Sequence, residues 1–165
     1  MCDGSDDPNM GYQMIRVSPM YPVTVAKVAA ALGGTRTLGA LPSTVGELAE
    51  AVAHGLPRGV VREIAANAAP RGKEARQLVA DLVVSPATLK RNERLSPSAS
   101  ERAERLARIV ALAQQALGDA DQARIWLNEP HSLLGGRPPI HVAATDLGAR
   151  QVERILVNIE YGLPI

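Results

Sequence analysis

Apolar residues recur along most of this chain at intervals of three and four, and the stretches that carry them are separated by Gly, Pro and Ser-Pro breaks. That period predicts short amphipathic helices rather than strands. VTVAKVAAALGG, from Val23, reads as a first helix closed by paired glycines. STVGELAEAVAHG starts at Ser43, carries Val45, Leu48, Ala49 and Val52 at helical spacing and stops at Gly55, and LPRGVVREIAANA, opened by Pro57, carries Val60, Val61 and Ile64. The region 23–69 is therefore a helical prelude. Residues 1 to about 20 show no sustained period, which predicts a flexible leader over 1–22.

KEARQLVADLVVSPATLKRNERLSP has a different rhythm. Leu78, Val79 and Leu82 form the apolar stripe of one helix, LVV makes a tight apolar turn, and Ser85 followed by Pro86 is an N-cap and first-turn pair for a second, short helix. In this helix-turn-helix near 73–94, Leu89 faces inward, and Ala87, Thr88, Lys90 and Arg91 project outward from the helix that Ser85 caps. On spacing alone an ordinary helical hairpin with solvated basic residues fits equally well. The longest helix follows, with Ser96, Pro97, Ser98 and Glu101 at its start and Ser98 and Glu101 at capping-box spacing. Leu106, Ile109, Val110, Ala113 and Leu117 supply its apolar stripe, Glu101 with Arg105 and Glu104 with Arg108 its ion pairs, and Gly118 its end.

Past Gly118, Asp119 caps a helix with Ala120, Ala123, Trp126 and Leu127 on one face, closed by Pro130. Trp126 reads as a packing anchor. LLGGRPPI comes next: Gly135 and Gly136 permit a sharp turn, and the prolines preset the start of a short helix, PIHVAAT. Asp146 caps a last helix with Ala149, Val152, Ile155, Leu156 and Ile159 inward, ended by Gly162 with Pro164 beyond. The fold class expected is all-α, with a helical domain over 23–118 and a smaller helical unit over 119–165.

Composition narrows the picture in three ways. Hydrophobic residues are 46% of the 165, yet there are three Tyr, one Trp and no Phe, so the core is built from Ala, Val, Leu and Ile, which suits closely packed helices. No uncharged apolar run is long enough to span a bilayer, and the acidic MCDGSDD start is unlike an export signal, so a cytoplasmic location is expected. Cys2, the single cysteine, permits no internal disulfide. The net charge of +1 hides a basic middle, residues 71–108, with nine Arg or Lys against five Asp or Glu. Such a bias is a footprint of a phosphate backbone or simply a solvated helix face.

The catalytic alternatives fail on spacing. LGGRPPI lacks the glycine pattern, Lys and Ser or Thr of a phosphate cradle, and its prolines delete N–H donors; LGGTRTLG at 32–39 lacks a preceding strand. His54, His131 and His141 lie in separate segments without converging partners, so neither a metal nor another cofactor is expected, and no Ser sits in a nucleophile turn. Arg137 is an exposed oddity, either a solvated turn residue or a forked donor to a partner's carboxylate or carbonyl.

WLNEP, LLGGRPPI and AATDLGARQVERILVNIEYGL, in this order from Trp126 to Leu163, resemble the C-terminal toxin-binding domain of the Xre/ParS-type antitoxins that are paired with RES-domain toxins. The preceding ATLKRNERLSPSASERAERLARIVALAQQALGD resembles the exit of that family's Xre-like helix-turn-helix, so the likeness spans about residues 56–163. Pro138 and His141 stand where relatives often have Thr and an acid, and no contact role is carried onto them. The resemblance implies a bacterial type II antitoxin, not an enzyme. It would cover the active site of an NAD-degrading RES-domain toxin and bind operator DNA with it, as a homodimer within a larger complex. The implied toxin-binding residues are Arg137, Arg150, Arg154, Tyr161, Gly162, Leu163 and Ile165; the DNA-binding set is Ser85, Ala87, Thr88, Lys90 and Arg91. A stand-alone helix-turn-helix transcription regulator with a helical dimerisation domain is the alternative.

Overall fold

A computed structural model of the protein describes residues 22–164; the expected leader, Pro22 apart, lies outside them, as does Ile165. Among the described residues there are ten α-helices and no strand: α1 Val25–Ala31, α2 Gly34–Leu38, α3 Val45–Ala53, α4 Gly59–Ala68, α5 Lys73–Val83, α6 Pro86–Arg91, α7 Pro97–Leu117, α8 Ala120–Asn128, α9 Pro139–Val142 and α10 Asp146–Tyr161. The all-α expectation holds.

The organising element is α7. From Leu106 to Ala113 every residue except Arg108 is buried, so apart from that arginine this stretch is apolar all round, and α1, α3, α4, α5, α8 and α10 pack around the helix. A helix that is apolar all round belongs inside a protein. Buried residues of the first nine helices and of α10 join in one core cluster, running from Val23 and Val28 through Ile64, Leu106 and Ile109 to Ile140 and Leu156, apart from α2 and α6, which contribute none that are fully buried. The expected division after Gly118 therefore falls at a helix end and not between two cores.

Several local expectations are corrected. The paired glycines do not simply end α1: Gly33, left-handed, is the N-cap of α2, a helix the pattern did not announce. The cap of α3 is Thr44, with Ser43 one residue earlier, and Val45 and Ala49 are exposed, leaving Leu48 and Val52 to bury the helix. In α5 the inward residues are Val79 and Val83, with Leu82 half-buried and Leu78 59% exposed, so the stripe is rotated from the one expected. LVV is no turn, because Leu82 and Val83 complete α5 and Val84 alone links it to Ser85. Ser96, not Ser98, caps α7 by accepting from the Ala99 N–H, so the Ser98–Glu101 capping box does not form.

The arginines of α7 were expected to form a soluble face and instead tie neighbouring elements down. Arg102 Nε donates to the Val83 carbonyl at 2.8 Å, and Arg105 Nη1 donates to the Ala144 carbonyl at 3.1 Å in place of a bond to Glu101. Arg108 makes the expected pair with Glu104 at 3.0 Å and also pairs with Glu153 of α10. The spacing had placed these guanidiniums correctly on one side of α7, but only the packed neighbours decide whether that side meets water.

Candidate functional site

The basic candidate sits where α5 turns into α6. Ser85 caps α6: its Oγ accepts from the Thr88 N–H at 3.4 Å and donates to Thr88 Oγ1 at 3.0 Å, and Pro86 occupies the first turn. The two hydroxyls thus serve the cap first. Ala87, Thr88, Lys90 and Arg91 are all exposed and Leu89 is half-buried, the sidedness expected from spacing. Arg91 Nε donates back to the Ala87 carbonyl at 3.2 Å, which holds its guanidinium along the helix, and neither Lys90 nor Arg91 joins an ion pair among the described residues. The Arg102 bond to Val83 fixes the turn itself from below.

Beside this unit a groove of about 460 Å³ runs between α4 and α5, floored by Val61, Ala65, Ala80 and Leu89 and rimmed by Arg62, Lys73 and Arg76. Arg62 is paired with Glu63 at 3.2 Å. Lys73 and Arg76 extend the positive surface beyond the residues singled out from the motif; the charge count over 71–108 was the signal that pointed to them.

The second candidate begins in the loop that follows α8. His131 to Arg137 closes a tight loop in which the Gly136 N–H donates to the His131 carbonyl at 3.0 Å and the His131 N–H to the Arg137 carbonyl at 3.3 Å. Gly135 and Gly136 hold φ of 67° and 73°, a left-handed pair that side-chain-bearing residues rarely adopt. Trp126 meets the His131 ring edge-on, with centroids 5.6 Å apart, and packs against the core as expected. Leu134 is buried and Leu133 exposed. Arg137 is exposed, but its Nε donates to the Leu134 carbonyl at 3.3 Å, so its first role is to close its own loop.

The cap of α10 is Thr145 and not the expected Asp146, which is the first residue of the helix: Thr145 Oγ1 accepts from the Gly148 N–H at 3.1 Å. Leu147, Arg150, Arg154 and Tyr161 are exposed at intervals of three, four and seven, which aligns them along the outer face of one helix. Arg150 pairs with Asp146 at 3.1 Å, and both are exposed. At the end of α10, Gly162 takes the left-handed position, the Leu163 N–H donates to the Asn158 carbonyl at 2.8 Å, and Asn158 Nδ2 donates to the Pro164 carbonyl at 3.2 Å. Leu163, 52% exposed, is therefore held rigidly beside Tyr161, 53% exposed. The structure brings Arg150, Arg154, Tyr161, Gly162 and Leu163 onto one continuous surface and leaves Arg137 on a separate loop. No cluster of three His, Cys, Asp or Glu that would hold a metal occurs among the described residues, and no helix there is long and apolar enough to cross a membrane.

This is an all-helical chain in which a helix-turn-helix and a small capped helical unit share one central helix. Residues 47–108 match the Antitoxin Xre-like helix-turn-helix domain, and residues 112–162 match the Antitoxin Xre/MbcA/ParS C-terminal toxin-binding domain. With these two domains in this order, the chain belongs to the Xre-type antitoxins. It is 34% identical over 86 residues to Antitoxin Xre of Pseudomonas putida, a stretch that is 50% of this chain and 54% of that one, so the likeness extends over about half the length of the curated relative. The boundary between the two matched domains falls inside α7.

Proposed function

We propose that the protein is the antitoxin of a type II pair, that it binds a RES-domain NAD-degrading toxin through the outer face of α10 and the tail after it, covering the toxin's active site, and that it represses its own operon through α6. It catalyses nothing itself, takes no cofactor, acts in the cytoplasm and works as a homodimer within a larger toxin-antitoxin complex. The observation that carries this reading is the exposed surface of Arg150, Arg154 and Tyr161 on the domain matched as toxin-binding, continued by Leu163 just past it. Tyr161 and Leu163 offer amphipathic and apolar contact area at the centre of such an interface, and the arginines select a surface bearing carboxylates. The test is co-expression of the neighbouring open reading frame with the full chain and with a chain lacking residues 160–165, scoring growth and cellular NAD. Growth and NAD are expected to survive only with the full chain; unchanged protection by the truncated chain overturns the assignment of the tail.

Exposed Lys90 and Arg91 favour a second reading, a stand-alone helix-turn-helix regulator. Both readings expect Lys90→Ala and Arg91→Ala to weaken operator binding and each to lower the salt slope by about 1 if it contacts a phosphate. They separate on the neighbour: a harmless gene product leaves only the regulator.

A further inference from the structure

Residues 22–38 precede both matched domains; α2 meets α4 through the Arg36–Glu63 pair, whereas Pro22 and Lys27 reach the last turns of α7. Lys27 Nζ on α1 donates to Gln115 Oε1 at 2.8 Å, and Gln115 Nε2 on the last turns of α7 donates to Glu160 Oε1 at 2.7 Å and to the Pro22 carbonyl at 3.4 Å. One glutamine thus joins the start of the described chain, α1 and the last turn of α10, next to Tyr161. Val25, Val28 and Ala29 bury the inner side of α1, while Thr24, Ala26, Lys27 and Ala30 are exposed. The short side chains of Thr24, Ala26 and Ala30 make a low surface on which a partner can approach closely, and Lys27 adds a cation beside the last turn of α10.

We propose that the outer side of α1 is part of the same docking surface as the α10 tail, and that its occupant is the toxin, through a carboxylate-bearing region of its surface. This rests on the toxin-binding reading above. The argument is continuity: a partner large enough to cover Tyr161 and Leu163 and to bury the roughly 800 Å² per side of a standard interface extends past Glu160 onto the element bonded beside it. Lys27 and Arg154, neither joined in an ion pair among the described residues, are the cations that such a carboxylate-bearing surface would meet.

The test uses the full chain and the neighbouring toxin in a catalytically inactive form. Lys27→Glu reverses the charge, and Ala26→Glu adds bulk and charge while leaving the Lys27–Gln115 bond in place; both positions are exposed, and unchanged thermal melts verify the fold. Each is expected to weaken toxin affinity at least tenfold without altering operator affinity of the free protein. Wild-type toxin affinity in both variants, with affinity lost on removing residues 160–165, overturns the role of α1 alone. Full affinity in all three overturns the toxin-binding reading itself. A change in the free protein's molecular mass with Lys27→Glu assigns α1 to contacts between copies of this chain and likewise overturns the proposal.

Discussion

Gly148 explains why the last helix of this chain opens as it does. A Cβ at this position runs into the Val142 carbonyl of α9, so the glycine lets α9 close onto the first turn of α10, while Thr145 caps the same turn. Gly148→Ala is expected to destabilise the protein by roughly 1–3 kcal/mol through overpacking against backbone, visible as a lower denaturation midpoint with unchanged slope. Ser100 is its counterpart on α7. It is fully buried, and its Oγ accepts from the Leu56 N–H at 2.8 Å, which docks the loop between α3 and α4. Ser100→Ala leaves that N–H buried without a partner and is expected to cost about 1–3 kcal/mol in an equilibrium unfolding experiment. In the sequence Gly148 was legible as a motif residue and Ser100 was not, because a serine inside a helical stretch looks solvated until a distant loop is laid over it.

The helices were readable where capping chemistry and apolar spacing agree, as at Ser85-Pro86 or Asp119, whose side chain accepts from the Gln122 N–H at 2.7 Å. They were misread where local signals compete. At α3 both Ser43 and Thr44 can cap, and the structure uses Thr44, whose Oγ1 accepts from the Glu47 N–H at 3.1 Å, while the Glu47 carboxylate accepts from the Ser43 N–H at 2.7 Å and the Ser43 hydroxyl at 2.9 Å. Those bonds from Ser43 hold the Glu47 carboxyl below the usual carboxylate value. A group with a lowered folded pKa stabilises above its unfolded value and loses that contribution as pH falls through the folded one. Wild type is therefore expected to melt above Glu47→Gln at neutral pH, with the gap closing only below the ordinary value of 4.5; a gap that stays constant into acid contradicts the bond. In α5, Leu78 and Val83 both fit a helical period, and only the packing of α5 against α4 and α7 turned Val83 inward and left Leu78 outside.

At the scale of the molecule, one helix serves two domains. α7 carries Arg102 to the turn before α6, Arg105 to the turn before α10 and Arg108 to Glu153, while its apolar middle fills the common core. Unfolding is therefore expected to be a single cooperative transition, with Trp126 fluorescence, which reports the C-terminal half, coinciding with far-ultraviolet circular dichroism, which reports all the helices. Removing residues 119–165 is expected to abolish cooperative folding of the remainder, because it strips α8 and α10 from α7; a truncated chain that melts sharply refutes the shared core. The sequence by itself determined the all-α class, most helix starts and stops and the glycine loop, since these follow from local propensity, capping and short-range periodicity. Only the tertiary structure decided that α7 lies inside rather than on the surface, that its arginines bond inward, and that α1 returns to the side of the α10 tail. These depend on contacts between residues up to 93 positions apart, such as Pro22 and Gln115, which no local pattern encodes.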